Sequence, residues 1–132
     1  MNPLENEGRM KRENFNHGFP DRVWHAAKEE ARQAMIDVAS RRDVMSYSDL
    51  VQRIASCNLE PHSSRLAHLL GEISTEEDEA GRGLLTVLVV HKTGDGKPGS
   101  GFFKLAGSRG RDISDSVECW IKELKKVHDV WS

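Results

Sequence analysis

Residues 83–103 read GLLTVLVVHKTGDGKPGSGFF, and this segment is the most informative part of the chain. Its first half, residues 84–91, is a nearly continuous apolar run, which predicts a strand that is covered on both faces. Glycine and proline residues follow and predict a reversal of the chain. Phe102, Phe103 and Leu105 are apolar again, and residues 102–105 are predicted to form a second strand that pairs with the first. The segment therefore predicts a β-hairpin with a glycine-rich tip.

Three helices are predicted before the hairpin, over residues 21–40, about 47–56 and 61–74. In each of them, apolar residues recur at the spacing of one helix face. Ser46 and Asp49 match a capping box at the start of the second helix. Pro61 is expected to open the third helix, because proline is tolerated in a first turn. The acidic segment 75–80 is expected to be a solvated loop or the frayed end of the third helix.

A last helix is predicted near the end of the chain, with an apolar face formed by Val117, Trp120, Ile121, Leu124 and Val127. The order of helix, helix and hairpin is that of a winged helix-turn-helix. The predicted fold class is therefore α+β: three helices and a hairpin wing, with an added C-terminal helix. One domain is expected over residues 20–132, after a flexible N-terminal arm of residues 1–19.

Composition narrows the classes of function. The 132-residue chain is 37% hydrophobic and 30% charged, as in ordinary globular domains, and its net charge of −2 gives no global basic field. Any contact with a polyanion must therefore come from a local patch. Cys57 and Cys119 fit no metal spacing, so we expect a reducing compartment, no structural metal and no cofactor. The longest apolar run is too short for a bilayer and the N-terminus is polar, which predicts a cytoplasmic protein with no membrane partner.

The glycines of the predicted tip, Gly94, Gly96 and Gly99, spell G-x-G-x-x-G. A dinucleotide-binding loop needs a helix directly after this motif, because the helix N-terminus holds the phosphates. Here a strand is predicted to follow, and Pro98 lies inside the motif. We therefore interpret these glycines as a flexible hairpin tip.

Basic side chains flank that tip. Lys92 and Lys97 suit contact with a phosphate backbone, and His91 lies at the base of the predicted hairpin. The alternative is that the two lysines only protect an exposed hairpin edge from pairing.

The third helix is the candidate recognition helix. His62, Ser63, Ser64 and Arg65 lie at its start, where helix-turn-helix proteins present side chains to base edges. Arg65 suits a bidentate contact to guanine, or entry into the stack where a base has left it. The alternative is a solvated helix face with a surface arginine. The nucleic-acid interpretation requires Arg65 and Lys97 to share one surface.

Short motifs also carry a family resemblance. Residues 44–103 resemble the DNA-binding winged helix of the alkylguanine alkyltransferases and alkyltransferase-like proteins. Ser46-Tyr47-Ser48-Asp49-Leu50 looks like the motif that opens one helix of that family, and Arg65 is similar to the arginine that replaces a flipped base. The resemblance implies a double-stranded DNA partner and adds Tyr47 to the expected contact residues.

The resemblance breaks at the reactive residue. Val89-Val90-His91-Lys92 stands where the family has Pro-Cys-His-Arg, so there is no thiolate to accept an alkyl group. We therefore predict no catalytic residue. The acidic segment 75–80 and the C-terminal helix also depart from the family pattern. Residues 88–94 (LVVHKTG) and 98–103 (PGSGFF) also look like a recurrent element of uncharacterised bacterial proteins, which implies no function.

These observations favour a small, non-catalytic DNA-binding protein for DNA recognition, repair or defence. An alternative is a protein-interaction module or homodimer that uses the C-terminal helix, where Trp120 and Trp131 suit a partner groove. A third is a small hydrolase or nuclease that uses His62, His91 or Asp95 as acid or base, although no motif supports it.

Overall fold

The computed structural model describes residues 14–94 and 96–132. Its strands are β1 (Phe15–Asn16), β2 (Phe19–Pro20), β3 (Met45–Ser46) and β4 (Val89–Val90). Its α-helices are α1 (Asp21–Ser40), α2 (Tyr47–Gln52), α3 (Ser64–Glu79), α4 (Ser100–Ser108) and α5 (Ser116–Trp131). A 3-10 helix at Leu85–Leu88 precedes β4. The mixed α+β class is confirmed.

The apolar run 84–90 lies at the centre of the fold. Each of its residues is buried, and α1, α3 and α5 all pack against the 3-10 helix. The predicted burial on all sides is therefore confirmed, whereas the predicted long strand is wrong. An apolar run without alternation does not distinguish a strand from a buried helical turn. Only β4 is extended, and it pairs in parallel with β3.

The predicted hairpin partner at residues 102–105 is also wrong, because these residues belong to α4. Phe102 and Ala106 are buried one helical turn apart, so this segment faces the core with a helical period. The glycine-rich stretch after β4 leads into a helix and not into a returning strand. Asp95, at the predicted tip, lies outside the described residues.

Helix α1 has the predicted bounds and supports the rest of the helical layer. Ala27, Ala31 and Ala34 are buried along one face, and such small side chains allow neighbouring segments to approach closely. The predicted flexible arm covers residues 1–19. Residues 1–13 lie outside the described residues, and residues 14–19 lie in and around a hairpin of β1 and β2 that packs on α1.

Helix α3 starts later and ends later than predicted. Ser63 caps it by accepting a hydrogen bond from the Leu66 backbone N–H at 3.2 Å, so Pro61 lies before the helix. Of the two alternatives for the acidic segment, the solvated loop is wrong and the helix end is correct, since residues 75–79 are helical. The reason is pairing: Glu76 binds Lys28 of α1 at 2.6 Å, and the buried Glu77 binds Arg32 at 2.7 Å.

Helix α2 is shorter than predicted and ends at Gln52. The following loop is held by Glu30 of α1, whose carboxylate accepts hydrogen bonds from the backbone N–H groups of Ala55 and Ser56 at 3.1 and 2.9 Å. Ile54 remains buried, so its apolar periodicity reflects burial in a loop rather than continuation of the helix.

The predicted apolar face of α5 is correct only in part. Val127 is buried, and Trp120 and Leu124 are partly buried against the core. Val117 and Ile121 are exposed, whereas Cys119 and Glu123 are buried. The difference arises because Glu123, which an apolar pattern assigns to solvent, has buried partners.

Those partners form an ionic network between α3 and α5. Arg111 contacts Asp78 at 2.7 Å and Glu123 at 3.0 Å. The second Glu123 oxygen accepts a hydrogen bond from the Leu84 backbone N–H at 2.7 Å. The Arg111 guanidinium lowers the pKa of Asp78 from 3.8 to about 2. The network thus provides a hydrogen-bond acceptor for the Leu84 backbone N–H, at the start of the central apolar run.

Arg111→Met should destabilise the fold, because it leaves Glu123 buried without its cation. We expect a loss of about 3 kcal/mol in the free energy of unfolding, measured by urea denaturation near neutral pH. Arg53→Met removes an exposed ion pair to Asp37 and is the control, with an expected change below about 1 kcal/mol. Equal losses in both variants would contradict a structural role for the network.

Candidate functional site

A cavity of about 310 Å³ opens between the starts of α2 and α3 and the segment that leads into α4. Its volume is at the lower end of the range for small-molecule sites, about 300–1,000 Å³. It therefore suits a ligand of the size of one ring system. Its lining includes Tyr47, His62, Ser63, Leu66, Leu70, His91, Gly99, Ser100, Phe102 and Leu105.

The short parallel sheet positions the polar end of the cavity. Ser46 is paired with Val90, so the next residues along the two strands, Tyr47 and His91, emerge side by side. Ser46 also caps α2, since its hydroxyl accepts a hydrogen bond from the Asp49 N–H at 3.0 Å. This half of the predicted capping box is confirmed, and it fixes Tyr47 in the first turn of the helix.

Three aromatic rings cluster at this end. The centroid of Tyr47 lies 5.3 Å from that of His91 and 5.9 Å from that of His62, and the two histidine rings are 5.9 Å apart. The Tyr47 hydroxyl accepts a hydrogen bond from the Gly99 N–H at 2.9 Å. A Cβ at position 99 would lie 3.0 Å from that hydroxyl, so glycine is needed for this approach.

The Tyr47 hydroxyl is available as a donor. Burial raises its pKa above the usual 10.0, and the Gly99 N–H acts in the opposite direction. The phenol is therefore neutral at physiological pH. Since its oxygen accepts from Gly99, its proton can be donated to a ligand in the cavity.

The remaining wall of the cavity is apolar. Leu66 and Leu70 contribute from α3, and Phe102 and Leu105 contribute from α4. A flat ring would contact these side chains with its faces and the Tyr47 hydroxyl with a polar edge. The arrangement therefore suits a planar heterocycle better than a flexible charged chain.

Two of the segments that line the cavity contain more basic than acidic residues. Residues 61–71 and 91–105 together contain Arg65, Lys92, Lys97 and Lys104 and one acidic residue, Asp95, whereas Asp49 lies in α2 and Glu60 and Glu72 border the first of these segments. Lys92 and Lys104 are exposed and form no ion pair with any residue that the structure describes. The acidic residues of α3 instead pair with α1 and Arg109.

The predicted contact residues fall into two groups. Tyr47, His62, Ser63 and His91 line the cavity together. The second group lies outside that lining and consists of Ser64, Arg65, Lys92 and Lys97.

Members of the second group occupy different places. Ser64 is exposed at the first residue of α3, and Lys92 is exposed after β4. The Lys97 carbonyl accepts a hydrogen bond from the His91 N–H at 2.9 Å, which closes the loop between them. Arg65 packs against the β1–β2 hairpin.

The sequence does not predict Gly99, Ser100, Phe102 and Leu105 as site residues, because their segment is interpreted there as part of a hairpin. The three- and four-residue spacing of Phe102, Leu105 and Ala106 is the signal that would have revealed a helix. The G-x-G-x-x-G motif is in fact followed directly by α4, whose cap at Gly99 has no side-chain hydrogen bond. The predicted strand after this motif is therefore wrong, because the residues that follow it form a helix.

No family model, curated protein or solved structure matches this chain. Among residues 14–94 and 96–132, no helix is long and apolar enough to cross a membrane. Within the same residues, no group of His, Cys, Asp and Glu side chains is arranged to hold a metal ion.

Tyr47 is the sole tyrosine of the sequence, so its ionisation can be followed by near-ultraviolet absorbance. Because burial raises its pKa, the native protein should titrate with a midpoint above 10, and the urea-unfolded chain near about 10. Gly99→Ala should move the native midpoint towards the unfolded value by displacing the phenol. Gly71→Ala, where a Cβ meets nothing within 4 Å, is the matched control. A native midpoint at or below 10 would refute the burial argument.

Proposed function

We propose that this protein binds duplex DNA through the surface around the cavity and accepts a nucleobase displaced from the helix. The observation that carries the proposal is a cavity of ring size, with aromatic side chains at one end, at the start of a helix that bears Arg65. The function is recognition without covalent chemistry.

The order of elements supports this proposal. Helix α2 precedes α3 in the order that the winged-helix resemblance predicts, with α3 as the recognition helix, although the connection 53–63 is longer than the three- or four-residue turn of a helix-turn-helix. Ser64 and Arg65 lie in its first turn and are exposed, which is where such helices contact bases. In this proposal the glycine-rich loop 91–99 takes the place of the expected hairpin wing beside the phosphate backbone.

The lining of the cavity supports uptake of a base. Proteins that bind a displaced base stack it against aromatic or apolar side chains and contact its polar edge by hydrogen bonds. Leu66 and Phe102 offer the apolar contacts, and the Tyr47 hydroxyl offers a donor. The extra energy of unstacking is least for a mismatched or damaged base, so such sites are the favoured targets.

The cysteines favour binding over group transfer. Val90 occupies the place at which the resemblance would put a nucleophile. Cys57 and Cys119 do not line the cavity, and burial raises the pKa of both thiols, which lowers their thiolate fraction at neutral pH.

Duplex affinity should depend on Arg65 and Lys97 and should fall steeply with salt. In fluorescence anisotropy with a labelled mixed-sequence duplex, Arg65→Ala combined with Lys97→Ala should weaken binding. Each lost phosphate contact should also reduce the slope of log K against log salt by about 0.9. Lys122→Ala on the exposed face of α5 is the matched control and should change neither quantity.

The cavity is tested in the same assay with a mismatched 2-aminopurine in the duplex, whose fluorescence should rise when the base leaves the stack. Ala67 also lines the cavity and is exposed, so Ala67→Trp should fill the cavity and abolish this rise. The proposal would be refuted if the wild type does not bind the duplex at low salt. It would also be refuted if the Arg65 and Lys97 substitutions leave the duplex affinity unchanged.

A second candidate is an interaction module, and the exposed apolar side chains of α5 favour it. Ile121 is 56% exposed and Val117 is 39% exposed, on one face of the helix and one turn apart. Two copies of this face could bury each other in a homodimer through α5.

If α5 forms a dimer, the wild-type protein should sediment at twice the monomer mass, and Ile121→Lys should sediment as a monomer because it places a charge in the contact. Lys122→Ala serves again as the neighbouring control. A wild-type protein that remains monomeric at high micromolar concentration would remove this candidate.

A further inference from the structure

The β1–β2 hairpin lies beside the candidate recognition helix. Its two-residue tip, His17 and Gly18, has positive φ angles of 54° and 89°, as in the turns that match the twist of two-residue hairpins. The hairpin packs against the side of α3 that carries Arg65, His68 and Glu72. These three residues form a different stripe of α3 from Leu66 and Leu70, which line the cavity.

Several contacts hold the hairpin in place. The His17 ring stacks on His68 with 4.4 Å between centroids and lies 4.7 Å from Trp24. The Trp24 indole N–H donates a hydrogen bond to Glu72 at 3.0 Å. These contacts join the hairpin to both α1 and α3, so its position relative to α3 is defined.

Arg65 lies against this anchored hairpin. Its guanidinium carbon is 5.2 Å from the centroid of the Phe19 ring, which is the geometry of a cation–π contact. A Cβ at Gly18 would lie 3.3 Å from the Arg65 Nη2, so the guanidinium also packs closely on the turn. Arg65 is nevertheless exposed. A guanidinium that rests on an aromatic face keeps its in-plane N–H donors available to a ligand.

We infer that Phe19 is a positioning residue that holds Arg65 for contact with DNA. This inference rests on the function proposed above and adds the N-terminal hairpin to its machinery. Arginine has many rotamers, and binding must restrict them. Since the Phe19 ring restricts them before binding, the entropic cost of the DNA contact is reduced.

The test is a double-mutant cycle on duplex affinity with the full-length chain. Phe19→Leu should weaken binding by about two- to fivefold, which corresponds to an exposed cation–π contact. In the Arg65→Ala background, Phe19→Leu should cause no further loss. Phe15→Leu is the matched control, because Phe15 lies on β1 of the same hairpin, is 61% exposed and should not affect affinity.

A second readout does not involve DNA. The Phe19 ring current should shift the side-chain proton resonances of Arg65 in NMR spectra. Phe19→Leu should remove this shift, and Phe15→Leu should retain it. Unchanged Arg65 resonances in the Phe19 variant would overturn the inference whatever the binding data show.

The binding outcomes separate the two proposals. If the wild type binds duplex and Phe19→Leu binds equally well, the positioning role is refuted and the proposed function stands. If Phe19→Leu weakens binding equally with and without Arg65, the residue has only a structural role and the inference is again refuted. If the wild type does not bind duplex, the proposed function fails and the positioning role fails with it.

Discussion

The parallel pairing of β3 with β4 is the constraint on which the rest of the site depends. It joins Ser46 to Val90 and therefore brings Tyr47 and His91 out of the core next to each other. The apolar run before β4 is buried by three helices, so the strand cannot slide without exposing it. The cavity is thus built from two segments that are distant in sequence and fixed by one short ladder.

Charge is divided between two regions of the fold. The carboxylates of α3 and α5 pair with Arg32, Arg82 and Arg111, and Glu123 also binds the first backbone N–H of the central run. Lys92 and Lys104, next in sequence to the cavity residues His91 and Leu105, are exposed and form no ion pair with any residue that the structure describes. A chain with a net charge of −2 therefore keeps these two lysines close to its candidate site.

The sequence predicted those features of the fold that local patterns determine, namely the bounds of one helix and the cap of another. The bounds of α1 followed from helical spacing, and the cap at Ser46 followed from its residue type. The predicted hairpin was wrong because residues 84–90 are almost continuously apolar. The run therefore lacks the periodicity that distinguishes a strand from a helix. The sequence left a loop and a helix end open for the acidic residues of α3, because the partners on α1 that stabilise the helix are not visible in a local pattern. His62 and His91 line the same cavity because β3 pairs with β4. No local sequence pattern indicates that pairing.

The length of chain between β3 and β4 has a consequence for the order of folding. Closing a long loop costs entropy before the few hydrogen bonds of a two-residue ladder can form, so such contacts form late and slowly. We therefore expect α1 and α3 to pack around the apolar run before the ladder forms, and the pocket to form late in folding. A nascent chain that ends before β4 lacks His91, Phe102 and Leu105, which line the pocket.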